Sequence, residues 1–459
     1  MRADQGIPMR RTSSQVRHTS SPADFIWGVS TSSYQIEGAA REDGRGPSVW
    51  DTFCRAGRAA NGDTGDIACD HYHRFAEDVA LMRELGIDAY RFSVAWPRVL
   101  PRGRGNSNEP GLAFYDRLID ALLAAGIEPW LCLYHWDLPQ ALEDLGGWSN
   151  RDCADWFADY AALVARRYGD RVKRFAPFNE PNVFTFLGYG TGSNAPGHSD
   201  PALFLRAIHH VNLAHGDAVD VLRGLVPRVS IGGINCVQPC VPSTADDQPA
   251  ADLLDAYWNG AFCDPQCLGR YPDLLLDKLA PYLQAGDLTR IARPLDWFGL
   301  NHYSPMYVKS DSGSRFGFAS ADPPPGLARS DLGWTIVPEA FRDTILHVHR
   351  RYRLPIYVTE NGIGQYDELN EKGEVADHAR VEFLAAYTGA MDAAISSGAD
   401  VRGYFVWSLL DNFEWALGYK PRFGIVYIDY PTQNRIPKAS FRWYADRIRT
   451  ARRARAGMG

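Results

Sequence analysis

Residues 339–362 read EAFRDTILHVHRRYRLPIYVTENG, and the fold turns on how this stretch is divided. Residues 339–352 carry a helical pattern. Leu354 to Val358 form a short apolar run suited to a buried strand, and Asn361-Gly362 is turn chemistry. Glu360 therefore stands where a strand leaves a core and meets solvent. By itself such an acid is an ordinary solvated turn residue.

The same helix-then-strand unit recurs along the chain. HYHRFAEDVALMRELG leads to AYRFSVAW, AFYDRLIDALLAAG to IEPWLCLYHW, and ADWFADYAALVARRYGD to VKRFAPFNE. The segment 201–225 precedes VSIGGIN, and DLLLDKLAPYLQAG precedes LDWFGLNHY. ARVEFLAAYTGAMDAAISSG precedes VRGYFVWSL. With DFIWGVSTS at the front there are eight strands. Gly86, Gly126, Gly169 and Gly398 follow the last periodic residue of their helices, where a left-handed C-cap is wanted.

Alternating strands and helices imply parallel pairing through right-handed crossovers. Eight units predict an α/β fold, a single (β/α)8 TIM barrel with enlarged βα loops. A doubly wound sheet would want a Gly-rich phosphate loop after its first strand, and GVSTSSYQIEG is not one. Residues 1–20 read as an N-terminal tail, 21–450 as the barrel and 451–459 as a basic C-terminal tail. Ser310 to Ser330, rich in Pro, Gly and Ser, reads as a barrel loop.

The chain has 459 residues, 45% of them apolar, with a net charge of −7. That balance gives no reason to expect nucleic acid or an anionic membrane as partner. No apolar run reaches the length of a membrane span. The N-terminal stretch lacks the apolar region of a secretory signal, so a cytoplasmic location with reduced cysteines is expected. The pairs Cys236/Cys240 and Cys263/Cys267 have a spacing that fits no common zinc motif. No metal or other cofactor is expected.

In such a barrel the active site lies at the C-terminal strand ends. Those ends carry Gln35, Arg91, His135 with Trp136, Asn179 with Glu180, Asn235, Asn301 with Tyr303, Glu360, and Trp407. Amides, carboxylates and an imidazole can each bridge two hydroxyls, and Trp offers a flat apolar face. The set suits a pyranose ring. Glu180 and Glu360 are the acids among them, ending the fourth and seventh strands, and glycosidic cleavage needs two carboxyl groups.

The motifs FIWGVSTSSYQIEGA, YRFSVAWPRV, LYHWDLPQAL, FNEPN, FGLNHYSP, VTENGI and YFVWSLLDNFEWALGYKPRFGIVYIDY occur in that order. From about Pro22 to about Ile448 the chain resembles the family 1 glycoside hydrolases, the β-glucosidase family. The resemblance implies a retaining enzyme with Glu360 as nucleophile and Glu180 as general acid, then base. It places Tyr303, Arg91 and Asn301 beside these carboxyls, and Gln35, His135, Trp136, Asn179, Trp407, Glu414, Trp415 and Phe423 on the sugar. Trp334 matches an aglycone-site tryptophan.

The implied substrate is a small β-glucoside or cello-oligosaccharide, with a homo-oligomer possible. The alternatives are a 6-phospho-β-glycosidase, in which Glu414 would be a Ser, and a catalytically inactive sugar-binding homologue. The chain departs from the family at Pro177 in the acid motif, at Asn182 where many members have Trp, and at Asn194 where His is usual. On this reading Glu414 accepts hydrogen bonds from the sugar as a carboxylate. The bland alternative is that it pairs with Lys420 or Arg422.

Overall fold

The computed structural model describes residues 24–456. Eight strands close into a barrel: β1 (Ile26–Ser30), β2 (Ala89–Ser93), β3 (Glu128–Tyr134), β4 (Arg174–Phe178), β5 (Ser230–Cys236), β6 (Trp297–Asn301), β7 (Ile356–Asn361) and β8 (Val401–Trp407). Each pairs in parallel with its sequence neighbours, and β1 closes on β8 from Ile26↔Gly403 to Ser30↔Trp407. The (β/α)8 architecture read from the sequence is the one observed.

The helices α1 (His71–Leu85), α2 (Glu109–Ala124), α3 (Cys153–Tyr168), α4 (Pro201–Leu225), α5 (Pro338–Tyr352), α6 (His378–Ser396) and α7 (Ala439–Ala456) surround the strands. Their ends follow local chemistry. Asp200 caps α4 by accepting from the backbone of Ala202 and Leu203. Gly86 stops α1 in the left-handed conformation at φ 76°.

Four details differ from the sequence reading. Gly169 has φ −66°, an ordinary helical value, and a Cβ there would lie 2.6 Å from Val226 Cγ2. Glycine at this position serves close packing rather than a left-handed cap. The stretch DLLLDKLAPYLQAG is not one helix but Asp273–Leu279 followed by a 3-10 turn, Ala280–Tyr282. Pro281 has no N–H to continue the helix and its ring crowds the preceding turn. Residues 310–330 are not all loop, because Phe318–Ser320 pairs with Met306–Ser310, which also pairs with Cys240–Pro242. Finally α7 runs through Ala456, so position 450 falls inside a helix and not at the start of a tail. The expected N-terminal tail, 1–20, lies outside the described residues.

The barrel interior is filled by side chains. At its lower end Trp130 meets Trp297, Tyr357 and Phe405 with ring centroids 4.8–5.2 Å apart. Such bulk requires small residues opposite. A Cβ on Gly232 would fall 2.1 Å from the Trp297 ring. These rings close the bottom, leaving the C-terminal mouth as the open end.

Strand β7 breaks the simple alternation. Val358 pairs with Leu300 and Glu360 with Asn301, while Val358 pairs with Tyr404 and Asn361 with Val406 on the other side. Thr359 is an extra residue, a β-bulge. Thr359 Oγ1 donates to Asn301 Oδ1 (2.7 Å), and the bulge turns Glu360 toward the same interior.

Among the described residues no helix is long and apolar enough to cross a membrane. The eight cysteines are all free, and no His, Cys, Asp or Glu cluster suited to a metal occurs among these residues.

Candidate active site

Glu180 lies just beyond β4. Asn179 N donates to Tyr134 O (2.9 Å) and Glu180 N to Ile234 O (3.0 Å), so the strand end is tied to both neighbours. Pro181 then starts a short helix and Glu180 sits at φ 47°, ψ 61°. Left-handed backbone at a non-glycine residue is strained and is characteristic of functional positions. The removal of a hydroxyl and an N–H at Pro177 leaves Glu180 with a partner nonetheless: Asn301 Nδ2 donates to its Oε1 at 2.8 Å.

Glu360 is held from two sides. Arg91 Nη1 donates to Oε1 (2.6 Å) and the Tyr303 hydroxyl to Oε2 (2.6 Å). Arg91 also donates through Nη2 to Asn179 Oδ1 (2.5 Å), which accepts from Asn301 Nδ2 as well (3.0 Å). A continuous chain of hydrogen bonds thus runs from Glu360 through Arg91, Asn179 and Asn301 to Glu180. With Asn179 Oδ1 occupied twice, its amide nitrogen must face His135 Nε2, 3.1 Å away. His135 is neutral, because burial and the nearby Arg91 hold it well below the usual imidazole range.

The two carboxyls have different environments. Burial first, and the charge of Glu360 second, push Glu180 up to about 8, against the opposing pull of Asn301 and Arg91. Glu360 sits against a guanidinium and a hydroxyl, both stabilising its anion. Glu180 is thus pushed toward the protonated form, while Glu360 is ion-paired with Arg91 at 2.6 Å.

Both open onto a cavity of about 780 Å³. His135, Trp136, Trp407, Glu414 and Trp415 form one end, with Tyr303, Trp334 and Phe423 nearby. Trp136 stacks on Trp415 at 4.6 Å and His135 on Trp407 at 5.8 Å. Trp334 is 40% exposed and stands at the mouth, 5.6 Å from the Tyr303 ring. A cleft of about 820 Å³ lies outside the barrel by α5, and it contains neither carboxyl.

Most predicted residues converge here, with exceptions. Gln35 is fully buried and is not part of the cavity wall. Its amide is consumed by Ser32 Oγ (2.6 Å), Asn412 Oδ1 (3.0 Å) and Phe413 O (2.9 Å). Arg91, Asn179 and Asn301 lie behind the wall, where they position the carboxyls. Asn235 is buried and is not part of the cavity wall. Asn182 is also withdrawn, its Nδ2 donating to Cys236 O at 2.8 Å.

Glu414 does not pair with a cation. Arg422 is engaged by Asp411 (2.7 Å), and Lys420 sits over the Tyr366 ring at 4.4 Å. Burial and the Glu360 charge push Glu414 up to about 8, toward the protonated form. Lining residues that the sequence reading missed include Val183, Phe186, Leu187, Trp258, Met306, Phe316 and Phe318. Asn194 had no assigned role and also lines this cavity.

The sequence model of Glycosyl hydrolase family 1 matches residues 17–453. The Beta-glucosidase of Agrobacterium sp. is 44% identical over 433 residues, covering 92% of this chain and 94% of that protein. The 1,4-beta-D-glucan glucohydrolase of Thermotoga neapolitana is 43% identical over 438 residues, covering 93% and 98%. The solved structure of the beta-glucosidase from Thermotoga maritima in complex with glucoimidazole matches with a TM-score of 0.90. It is 43% identical, over 94% of this chain and 99% of that one. The closed barrel, the paired carboxyls and these matches agree: the chain belongs to glycosyl hydrolase family 1.

Proposed function

We propose that the protein is a retaining β-glucosidase, releasing terminal β-D-glucosyl residues from small β-glucosides and short oligosaccharides. One observation carries the reading: the cavity presents an anionic Glu360, held by Arg91 and Tyr303, together with a protonated Glu180. In the first step a Glu360 carboxylate oxygen bonds to the anomeric carbon as the glycosidic bond breaks. Glu180 gives its proton to the departing oxygen. Glu360 is then an ester and its charge is gone. One of the two causes that raise Glu180 disappears with it, so Glu180 can accept a proton from the incoming water. Water attacks the anomeric carbon, the ester bond breaks, and Glu360 returns as a carboxylate.

We assign the sugar to the end of the cavity formed by His135, Trp136, Trp407, Glu414 and Trp415. A protonated Glu414 can donate one hydrogen bond and accept another, which suits two sugar hydroxyls. A cytoplasmic location fits the unpaired cysteines.

The 6-phospho-β-glycosidase reading finds no support in the geometry. With Glu414 pushed up to about 8 by burial and by Glu360, charge repulsion alone does not exclude a sugar phosphate. Desolvation takes its place, because a phosphate here would meet no cation: Lys420 and Arg422 are engaged elsewhere. An unpaired buried ion costs several kcal/mol, on the order of 10³-fold in kcat/KM. Rates on 4-nitrophenyl β-glucoside and on its 6-phosphate are the test. The phosphate is expected to be cleaved at least that much more slowly, and comparable rates would overturn the assignment. An inactive homologue would turn over neither.

A further inference from the structure

The amide of Asn301 has two chemically different ends, and which of them faces Glu180 decides what it can do there. Through Nδ2 it donates to Glu180 Oε1 (2.8 Å) and to Asn179 Oδ1 (3.0 Å). An amide oxygen in that place would meet the Asn179 oxygen, already bonded to Arg91, with no proton between them. The other end, Oδ1, accepts from Thr359 Oγ1 at 2.7 Å. Among the described residues no other donor reaches that oxygen.

Thr359 is the extra residue of the β7 bulge and is fully buried. Its backbone is pinned by Ser30 Oγ, which donates to Thr359 O (2.8 Å). On β6, Gly299 leaves room for the side chain, since a Cβ there would fall 3.1 Å from Thr359 Oγ1. A buried amide oxygen left without a donor is costly. A hydroxyl bonded to it also polarises the amide and strengthens the N–H donors at the far end.

We infer that Thr359 is a positioning residue for the acid–base carboxyl: its hydroxyl, acting through Asn301, keeps an amide N–H on Glu180 as that group passes between acid and carboxylate. The inference rests on the retaining mechanism proposed above. Glu180 is also faced by Glu360 of β7, Arg91 of β2, the Cys236 thiol of β5 and the Tyr303 hydroxyl. His135, which is neutral, and Glu414 line the same cavity. Removing one hydroxyl from Thr359 deletes none of these groups. The Asn301 N–H favours the carboxylate form of Glu180, so a weaker hold lets Glu180 keep its proton to higher pH.

Thr359→Val exchanges the hydroxyl for a methyl at nearly constant shape, and Thr359→Ser keeps the hydroxyl. With phenyl β-glucoside, the basic limb of kcat/KM is expected to move up by about one pH unit in Thr359→Val and to stay in place in Thr359→Ser. Thr359→Ala against Thr359→Ser makes the same comparison with smaller side chains and decides the matter if the valine variant does not fold. In a Glu180→Ala background, Thr359→Val is expected to leave the pH profile unchanged, which ties the shift to Glu180 rather than to Glu414. An unmoved limb in the hydroxyl-free variants, or a limb that moves as far in Thr359→Ser, would overturn the inference. So would a shift that survives in the Glu180→Ala background. A wild type that hydrolyses no β-glucoside would instead overturn the glucosidase reading, and the inference with it.

Discussion

Turnover of 4-nitrophenyl β-glucoside by Glu360→Ala is expected to fall on the order of 10⁴-fold, ~5.5 kcal/mol of barrier. The loss follows from geometry. Glu360 is the anion in the cavity, and no other carboxylate can reach the same face while Glu180 and Glu414 hold their protons. Truncation leaves a void beside the anomeric carbon, and Arg91 remains to bind an anion there. Added azide should occupy that void and restore part of the rate, forming the α-glucosyl azide by attack from the vacated face. Removing one partner of a buried ion pair is destabilising, so Glu360→Gln, which keeps the volume, serves as a control for folding. It should be equally inactive and should not respond to azide, since the void is filled. Retained turnover without azide would remove Glu360 from its role.

Glu180→Ala is expected to lose roughly 10²–10⁴-fold on glucosides with poor leaving groups, the usual worth of a positioned acid. A nitrophenolate needs little protonation, so bond breaking in its glucoside should suffer far less. Equal losses on both would count against Glu180 as the proton donor. The pH profile gives a second readout. With its pKa raised to about 8, Glu180 is protonated and active below that pH and loses its proton as pH rises through it. The wild type should therefore show a basic limb near pH 8 that is missing from the variant. Asn301 retains Asn179 as a partner (3.0 Å), so the variant should fold normally.

The barrel was legible because its strands are buried apolar runs alternating with periodic helices, a pattern that local chemistry writes directly into sequence. Glu180 and Glu360 were legible because each follows such a run and is flanked by turn-forming Asn. The rest depended on what distant segments bring together. Gln35 stands at a strand end, yet the loop carrying Asn412 and Phe413 folds over it and takes up its amide. Phe186 and Phe316 look like ordinary core residues until the strands near 306 and 318 place them around one opening. Glu414 was assigned a charge from its type, whereas burial next to Glu360 pushes it toward the protonated form. Gly169 looked like a cap because its position, not its backbone angle, is visible in sequence.

The bulge in β7 makes the aim of Glu360 a matter of phase. Tyr357 faces the barrel interior, so strict alternation would send Thr359 inward and Glu360 out among the helices. The extra residue advances the strand by half a pleat, and Glu360 inherits the inward position. The chemistry is thus encoded by residue count as much as by residue type. Deleting Thr359 would put Glu360 directly after Val358, inward by alternation but about 3.3 Å lower in the barrel and away from its place between Arg91 and Tyr303, so activity should be lost with every proposed catalytic side chain still present. The barrel should still close, with far-ultraviolet circular dichroism unchanged, while azide fails to rescue turnover because no cavity has been opened beside the anomeric carbon. Insertions and deletions near strand ends of such barrels can therefore silence or redirect a carboxylate in one step, a route of change that substitution scans do not sample.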